Sequence, residues 1–218
     1  MASLARVRRA KKVPPKWPTL RYERKLWREG LAYIAGADEA GRGALAGPVY
    51  AAAVILPSSI ERQLKGVRDS KQMKAAEREA LAPRIRELAL AWAVASASVE
   101  EIDEINILQA SHLATRRALE SLSLPPQHLL LDAVRLTAVD LPQTPLVSGD
   151  ARCLSISAAS VLAKTARDAE MRRLHEQFPQ YGFAEHKGYA TAAHRAAIAA
   201  HGACAHHRQS FSPMKVPV

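Results

Sequence analysis

Residues 34–56 read IAGADEAGRGALAGPVYAAAVIL. An apolar lead-in closes on two adjacent carboxylates, Asp38 and Glu39. Gly36, Gly41, Gly43 and Gly47 follow one another within a dozen residues, with Arg42 between the middle pair, and a second apolar run then begins. This pattern predicts two strands, residues 31–38 and 47–56, joined by a glycine loop, most simply as an antiparallel hairpin that Pro57 ends. Glycine lets backbone approach a ligand closely, and exposed amides in such a loop favour phosphate. Acids at the end of a buried strand, beside that loop, mark a candidate site.

Upstream, residues 20–30 predict a short helix on Leu20, Arg24 and Trp27, capped by Gly30. Downstream, Asp69-Ser70-Lys71 precedes a helical pattern over 74–90, with Asp69 or Ser70 as its N-cap. Residues 90–98 read as a strand, and a helix opens at EEIDEIN and runs to about Leu122. Its early acids, Glu100, Glu101, Asp103 and Glu104, suit a positive helix N-terminus. After Pro125-Pro126, HLLLDAV predicts a buried strand ending in Asp132, and PLVSGD a second ending in Asp150. A helix is predicted over 156–178, a loop over 182–189 and a last helix over 191–201, before a tail rich in His, Pro and Ser. Strands first, then alternating helices and strands, indicate an α/β or α+β layer protein.

A chain of 218 residues can bury one sizeable core. A hydrophobic content of 48% with 24% charged residues is that of a soluble globular protein. No long apolar stretch is free of polar interruption, which excludes a predicted membrane span, and the N-terminus has no apolar core of a secretory signal. Cys153 and Cys204 form no CxxC pair, which suggests a reducing, cytoplasmic setting. The formal charge is +10, but residues 1–30 hold ten Lys/Arg against two Glu, so eight of those charges lie there. This stretch is expected to be a basic, partly disordered extension with a polyanionic partner, with the folded domain, including its C-terminal helical segment, at 31–218.

Three predicted strands thus end in acids: Asp38-Glu39, Asp132 and Asp150. Ligand sites in open α/β sheets form at such ends. Four carboxylates gathered there repel one another, and divalent cations relieve that repulsion. Oxygen-only donors favour Mg²⁺ or Mn²⁺ over zinc. Two such ions, about 3.5–4 Å apart, suit phosphodiester hydrolysis. Taken singly, Asp132 and Asp150 read equally well as surface or turn residues.

GADEAGRGALAGPVYAAAVIL closely resembles the signature of the ribonuclease HII family. The likeness continues through DSK at 69–71, EIDEINIL at 101–108, LLLDAV at 129–134, GDARCLSISAASVLAKTARD at 149–168, YGFAEHKGYAT at 181–191 and HRQSF at 207–211. The resemblance implies a ribonuclease H-like α/β fold: a central mixed β-sheet flanked by helices, with a small C-terminal helical part. It implies a monomeric endonuclease that cuts the RNA strand of RNA–DNA hybrids and nicks 5′ of single ribonucleotides in duplex DNA, using two divalent cations, Mn²⁺ or Mg²⁺. The family's four acids fall on Asp38, Glu39, Asp132 and Asp150, its glycine–arginine–glycine element on Gly41-Arg42-Gly43, and its substrate-reading tyrosine on Tyr189. Arg42, Ser70 and Lys71 are candidate phosphate contacts, as are Lys164 and Lys187. Two departures stand out. Ala133-Val134 follow Asp132 where the family often has glycine, and Gln209 stands where a second arginine is common.

Three other readings bear on the same residues. Gly41-x-Gly43-x-x-x-Gly47 resembles a dinucleotide loop, but its spacing is not GxGxxG and no helix follows. Six of the eight histidines lie between His175 and His207, which would suit a metal-independent ribonuclease that leaves a cyclic phosphate. A non-catalytic nucleic-acid binder would require one of the four acids to be missing.

Overall fold

The computed structural model describes residues 17–133 and 135–214. Among them one mixed sheet is built from β1 (Ile34–Ala40), β2 (Val49–Ile55), β3 (Ala91–Ala97), β4 (His128–Asp132) and β5 (Gln143–Leu146). Their order across the sheet is β3-β2-β1-β4-β5. β1 and β2 form the expected antiparallel hairpin, with Glu39 opposite Ala51, and β3 continues it antiparallel. β4 and β5 add in parallel on the other side of β1. The helices are α1 (Arg21–Arg28), α2 (Ala75–Leu88), α3 (Val99–Glu120), α4 (Leu154–Gln177), α5 (Phe183–His186) and α6 (Ala192–His201).

α4 is the axis of the molecule. Its first turns, Leu154 to Ala163, are buried without interruption, because alanine and serine let it press flat against the sheet. Gly36 on β1 is what admits it: a Cβ there would lie 2.3 Å from the Ser155 carbonyl carbon. α3 covers the opposite face, where Ile102, Ala110 and Ala114 meet Val49, Ala51 and Ala97. Ser98 caps α3, accepting the Glu101 amide at 3.2 Å while Glu101 accepts the Ser98 amide at 2.9 Å. Full burial of Ile34, Ile55, Leu129 and Leu130 contributes about 1.5–3 kcal/mol per side chain.

Packing carries the folded body back to Leu20, ahead of the boundary expected at residue 31. Leu20 and Leu26 are buried, Thr19 bridges to Cys153, and the buried Glu23 carboxylate accepts from the Ser155 amide at 3.0 Å and its hydroxyl at 2.7 Å. The basic charges of α1 had assigned it to the basic arm, but Arg21, Arg24, Lys25 and Arg28 lie on the outer side of an amphipathic helix. Residues 1–16 of that arm, and Val134, lie outside the described residues.

Three further expectations are corrected. Asp69 accepts the Lys71 amide at 2.9 Å and caps a 3-10 turn, Ser70–Gln72, not α2. α2 begins later, where Glu77 accepts the Lys74 amide at 2.7 Å. PLVSGD is not a strand ending in Asp150: β5 stops at Leu146, Ser148 turns the chain at φ 54°, and Asp150 sits in a second 3-10 turn, Gly149–Ala151. The segment 182–189, expected as loop, contains α5.

Three of the C-terminal histidines, His186, His194 and His207, are packing residues. His186 and His194 stack 4.3 Å apart, and His207 lies against Tyr181 and Phe183. His207 Nδ1 accepts the Cys204 amide at 3.0 Å, leaving Nε2–H to donate to His194 Nε2 at 3.1 Å. His194 then donates Nδ1–H to the Tyr189 carbonyl at 3.0 Å. The relay requires neutral rings. Burial, then His194, pushes His207 from 6.5 down to about 4. Its folded pKa lies below the unfolded value, so the stability it contributes is present above about pH 6.5 and is lost as pH falls towards 4. That loss is on the order of 3 kcal/mol. The melting temperature should drop across this window, and His207→Gln should flatten the drop in a pH series of thermal melts.

Candidate active site

The parallel pairing of β1 and β4 sets Ala37 opposite Leu131. The next residue on each strand, Asp38 and Asp132, therefore stand side by side, on strands about 4.8 Å apart. Asp38 shares the α4 face with Gly36 and is only 5% exposed. Its carboxylate accepts the Glu39 amide at 2.8 Å, and the Ser160 hydroxyl of α4 favours its ionised form. Strand alternation turns Glu39 to the α3 face, where Arg42 Nη1 donates to it at 3.1 Å. Asp132 accepts the Gly149 amide at 2.7 Å. That bond ties the strand end to the turn holding Asp150, so the last acid reaches the cluster without being on a strand.

These acids sense one another. Burial first, then Glu39 and Asp132, hold the Asp38 carboxyl well above the usual range. Burial, then Asp132 and Asp69, raise Asp150. Lys71 answers them: its Nζ lies 3.5 Å from Asp150 Oδ2. Burial works against its charge, but Asp38, Asp150 and Asp69 outweigh it and raise the pKa. Among the described residues no three His, Cys, Asp or Glu side chains converge on one point in ligating geometry. The donor chemistry nonetheless fits a hard divalent cation: carboxylate oxygens only, under a repulsion that such an ion relieves. What holds the side chains apart is visible, since Glu39 is engaged by Arg42 and Asp132 by the Gly149 amide.

The glycine loop and Tyr189 are brought together on the same side. Ala44 bridges to Tyr189, and the Leu45 amide donates to the Gly188 carbonyl at 2.8 Å. The half-buried Tyr189 ring lies 5.5 Å from Lys164 Nζ and 5.4 Å from the Arg167 guanidinium. Other candidates are placed differently from expectation. Ser70 is buried, its hydroxyl 2.8 Å from that of Ser160, and does not face solvent. Lys164 is paired with Asp168 at 2.7 Å, and the Lys187 ammonium donates to the Ala184 carbonyl. Gln209 folds back, with Nε2 3.3 Å from the His207 carbonyl.

Four residues near the site were given no role from the sequence, although Ser160, Arg167 and Arg208 lie within the blocks that carry the resemblance: these three and His112. His112, on α3, lines a small cleft with Asp38, Glu39, Arg42 and Asp132, and its Nε2 has no partner among the described residues. Only its helical position on the sheet-facing side could have flagged it.

Ala133, directly after Asp132, holds φ 58°. A left-handed conformation costs a non-glycine residue about 1–2 kcal/mol, partly offset by the greater unfolded freedom of glycine. Ala133→Gly should therefore stabilise the protein by about 0.5–1 kcal/mol, read from urea midpoints.

A family model for ribonuclease HII matches residues 35–214 of this chain. The chain belongs to the ribonuclease HII family. It is 55% identical over 185 residues to the ribonuclease HII of Paracidovorax citrulli (strain AAC00-1), covering 85% of this chain and 76% of that one. Among solved structures it resembles ribonuclease H2 from Pyrococcus horikoshii OT3, with a TM-score of 0.70, 26% identity and coverage of 84% of this chain and 95% of that one. It shares its fold with Bst-RNase HIII, solved in complex with Mn²⁺, at a TM-score of 0.63, 20% identity and coverage of 84% and 68%. The mixed sheet with helices on both faces is thus a ribonuclease H-like fold.

Proposed function

We propose that this ribonuclease HII family member hydrolyses the RNA strand of RNA–DNA hybrids and nicks on the 5′ side of single ribonucleotides in duplex DNA, leaving a 3′-hydroxyl and a 5′-phosphate. The observation that carries this reading is the pairing of mutually repelling acids, Asp38 and Asp132 with Asp150 beside them, next to a glycine loop bridged to Tyr189. Two divalent cations, Mg²⁺ or Mn²⁺, held by Asp38, Glu39, Asp132 and Asp150 would supply the charge that activates a water and neutralises the leaving oxygen. The chain's own residues do the rest. Lys71 and Arg42, both next to the acids, meet the phosphates. The Gly41-Arg42-Gly43 backbone meets the 2′-hydroxyl, the group that marks RNA. Tyr189 packs on the downstream sugar, where a second 2′-hydroxyl would crowd it. Lys164 and Lys187 flank that tyrosine and contribute positive field more than direct contacts. All four acids come from one chain, which supports a monomer. Both cysteines are free thiols, which supports a cytoplasmic setting. Among the described residues no helix is long and apolar enough to cross a membrane.

The test uses four duplexes of one sequence: all-DNA, all-RNA, an RNA–DNA hybrid, and DNA with one ribonucleotide. Cleavage of the last two, with the nick mapped 5′ of the lone ribonucleotide, is expected. Cleavage of the all-RNA duplex at an equal rate would contradict the reading.

The basic arm has a separate expected effect. Residues 1–16 hold six Lys/Arg and no acid. Deleting them, and stopping before the packed Thr19 and Leu20, should weaken substrate binding and flatten its salt dependence. The slope should fall by about 0.9 for each phosphate that the arm neutralises. Turnover at saturation should hold. An unchanged slope in a salt titration would remove the arm from substrate binding.

A further inference from the structure

Arg208 is a fully buried guanidinium whose hydrogen bonds all go to carbonyls of the glycine loop. Nε donates to Gly47 at 3.0 Å, Nη1 to Arg42 at 2.8 Å, and Nη2 to Gly41 and Gly47, each at 2.8 Å. Arg167, also buried, donates to the carbonyls of Ala46, Pro48 and Lys187 at 3.0–3.1 Å. The two guanidiniums together fix the inner side of the loop and its junction with the segment before Tyr189. Burial, then Arg167, pushes Arg208 down to about 9, which still leaves it charged at neutral pH.

In a planar trans peptide the carbonyl of one residue and the N–H of the next point in opposite directions. Drawing the Gly41 and Arg42 carbonyls inward therefore turns the Arg42 and Gly43 amides outward. Gly41 to Ala44 is closed as a turn, the Ala44 amide reaching the Gly41 carbonyl at 3.3 Å. The Arg42 and Gly43 amides have no acceptor among the described residues. A Cβ at Gly43 would meet nothing within 4 Å, so the surface above these amides is open.

We infer that Arg208 is a positioning residue for ribose recognition: it holds the loop carbonyls inward so that the Arg42 and Gly43 amides face the substrate's 2′-hydroxyl. The inference rests on the proposed action on ribonucleotides, and assigns specificity at that same site to a side chain that never touches substrate. Lysine cannot replace it, because one ammonium lacks the planar fork that spans three carbonyls.

The test measures binding in chelator, by fluorescence anisotropy, to a DNA duplex with one ribonucleotide and to the all-DNA duplex of the same sequence. The parent should prefer the first. Arg208→Lys and Arg208→Met should lose that preference by about tenfold while retaining most affinity for the all-DNA duplex. Tyr189 and the acids remain in place, so a merely structural loss would weaken both duplexes alike. Amide exchange of the parent, followed by NMR, needs no variant: Arg42 and Gly43 should exchange freely and be slowed by the ribonucleotide duplex only. Retained preference in a folded Arg208→Lys, no preference in the parent despite metal-dependent cleavage, or amides slowed equally by both duplexes would each overturn the inference. A parent that neither prefers the ribonucleotide nor cleaves beside it would instead overturn the functional reading.

Discussion

Asp38→Asn is expected to lower cleavage by about 10³-fold or more and to leave the chelated protein at least as stable as the parent. Asp38 is 5% exposed and lies beside Asp132 and Glu39. Its ionised form is opposed by burial and by both neighbours, so it is held in place at a cost to folding. An amide keeps the shape and the hydrogen bond from the Glu39 amide. It removes the charge that a divalent cation requires, and with it the repulsion. Thermal melts in chelator should show an unchanged or raised midpoint, and the cleavage assay the loss. Asp140→Asn serves as the control, since Asp140 lies outside the cluster. A variant that melts lower and still cuts would show that Asp38 serves the fold and not the reaction.

The two central glycines of the loop should separate just as sharply. Gly41 holds φ +98°, and a Cβ there would fall 1.9 Å from Arg167 Nε. Arg167 is buried and bonded to three carbonyls, so it has no room to yield. Gly41→Ala should cost about 3 kcal/mol or more, a drop of roughly 10 °C in melting temperature. Gly43 has ordinary φ and open space around it. Gly43→Ala should stay within about 0.5 kcal/mol of the parent, yet impair cleavage, because the added methyl sits where the substrate sugar approaches. Equal stability for both variants would refute the packing of Arg167 beneath the loop. Full activity for Gly43→Ala would refute the approach of substrate to it.

These contrasts also show what a sequence can carry. The β1–β2 hairpin was legible because a buried strand, its acids and its glycines are all local. Asp132 was legible as the end of HLLLD. The turn that holds Asp150 was not: PLVSGD reads as one short strand, and the left-handed Ser148 leaves no residue-type signal. α1 was legible as a helix but not as part of the body, because burial of Glu23 depends on Ser155, 132 residues away. Ser70 read as a phosphate contact from its motif, whereas its partner, Ser160, is set only by α4 crossing the sheet. Arg167 and Arg208 were illegible for the same reason. A charged residue in a helix or tail reads as solvated, and all their acceptors but the Lys187 carbonyl are delivered by the fold from more than a hundred residues away.

The most direct measurement is end-group analysis of the product from a DNA duplex with one ribonucleotide, with Mg²⁺, with Mn²⁺ and with excess chelator. Clustered acids acting on a water predict a single nick 5′ of the ribonucleotide, a 3′-hydroxyl and a 5′-phosphate in either metal, and no product in chelator. A 2′,3′-cyclic phosphate, or full activity in chelator, would contradict it.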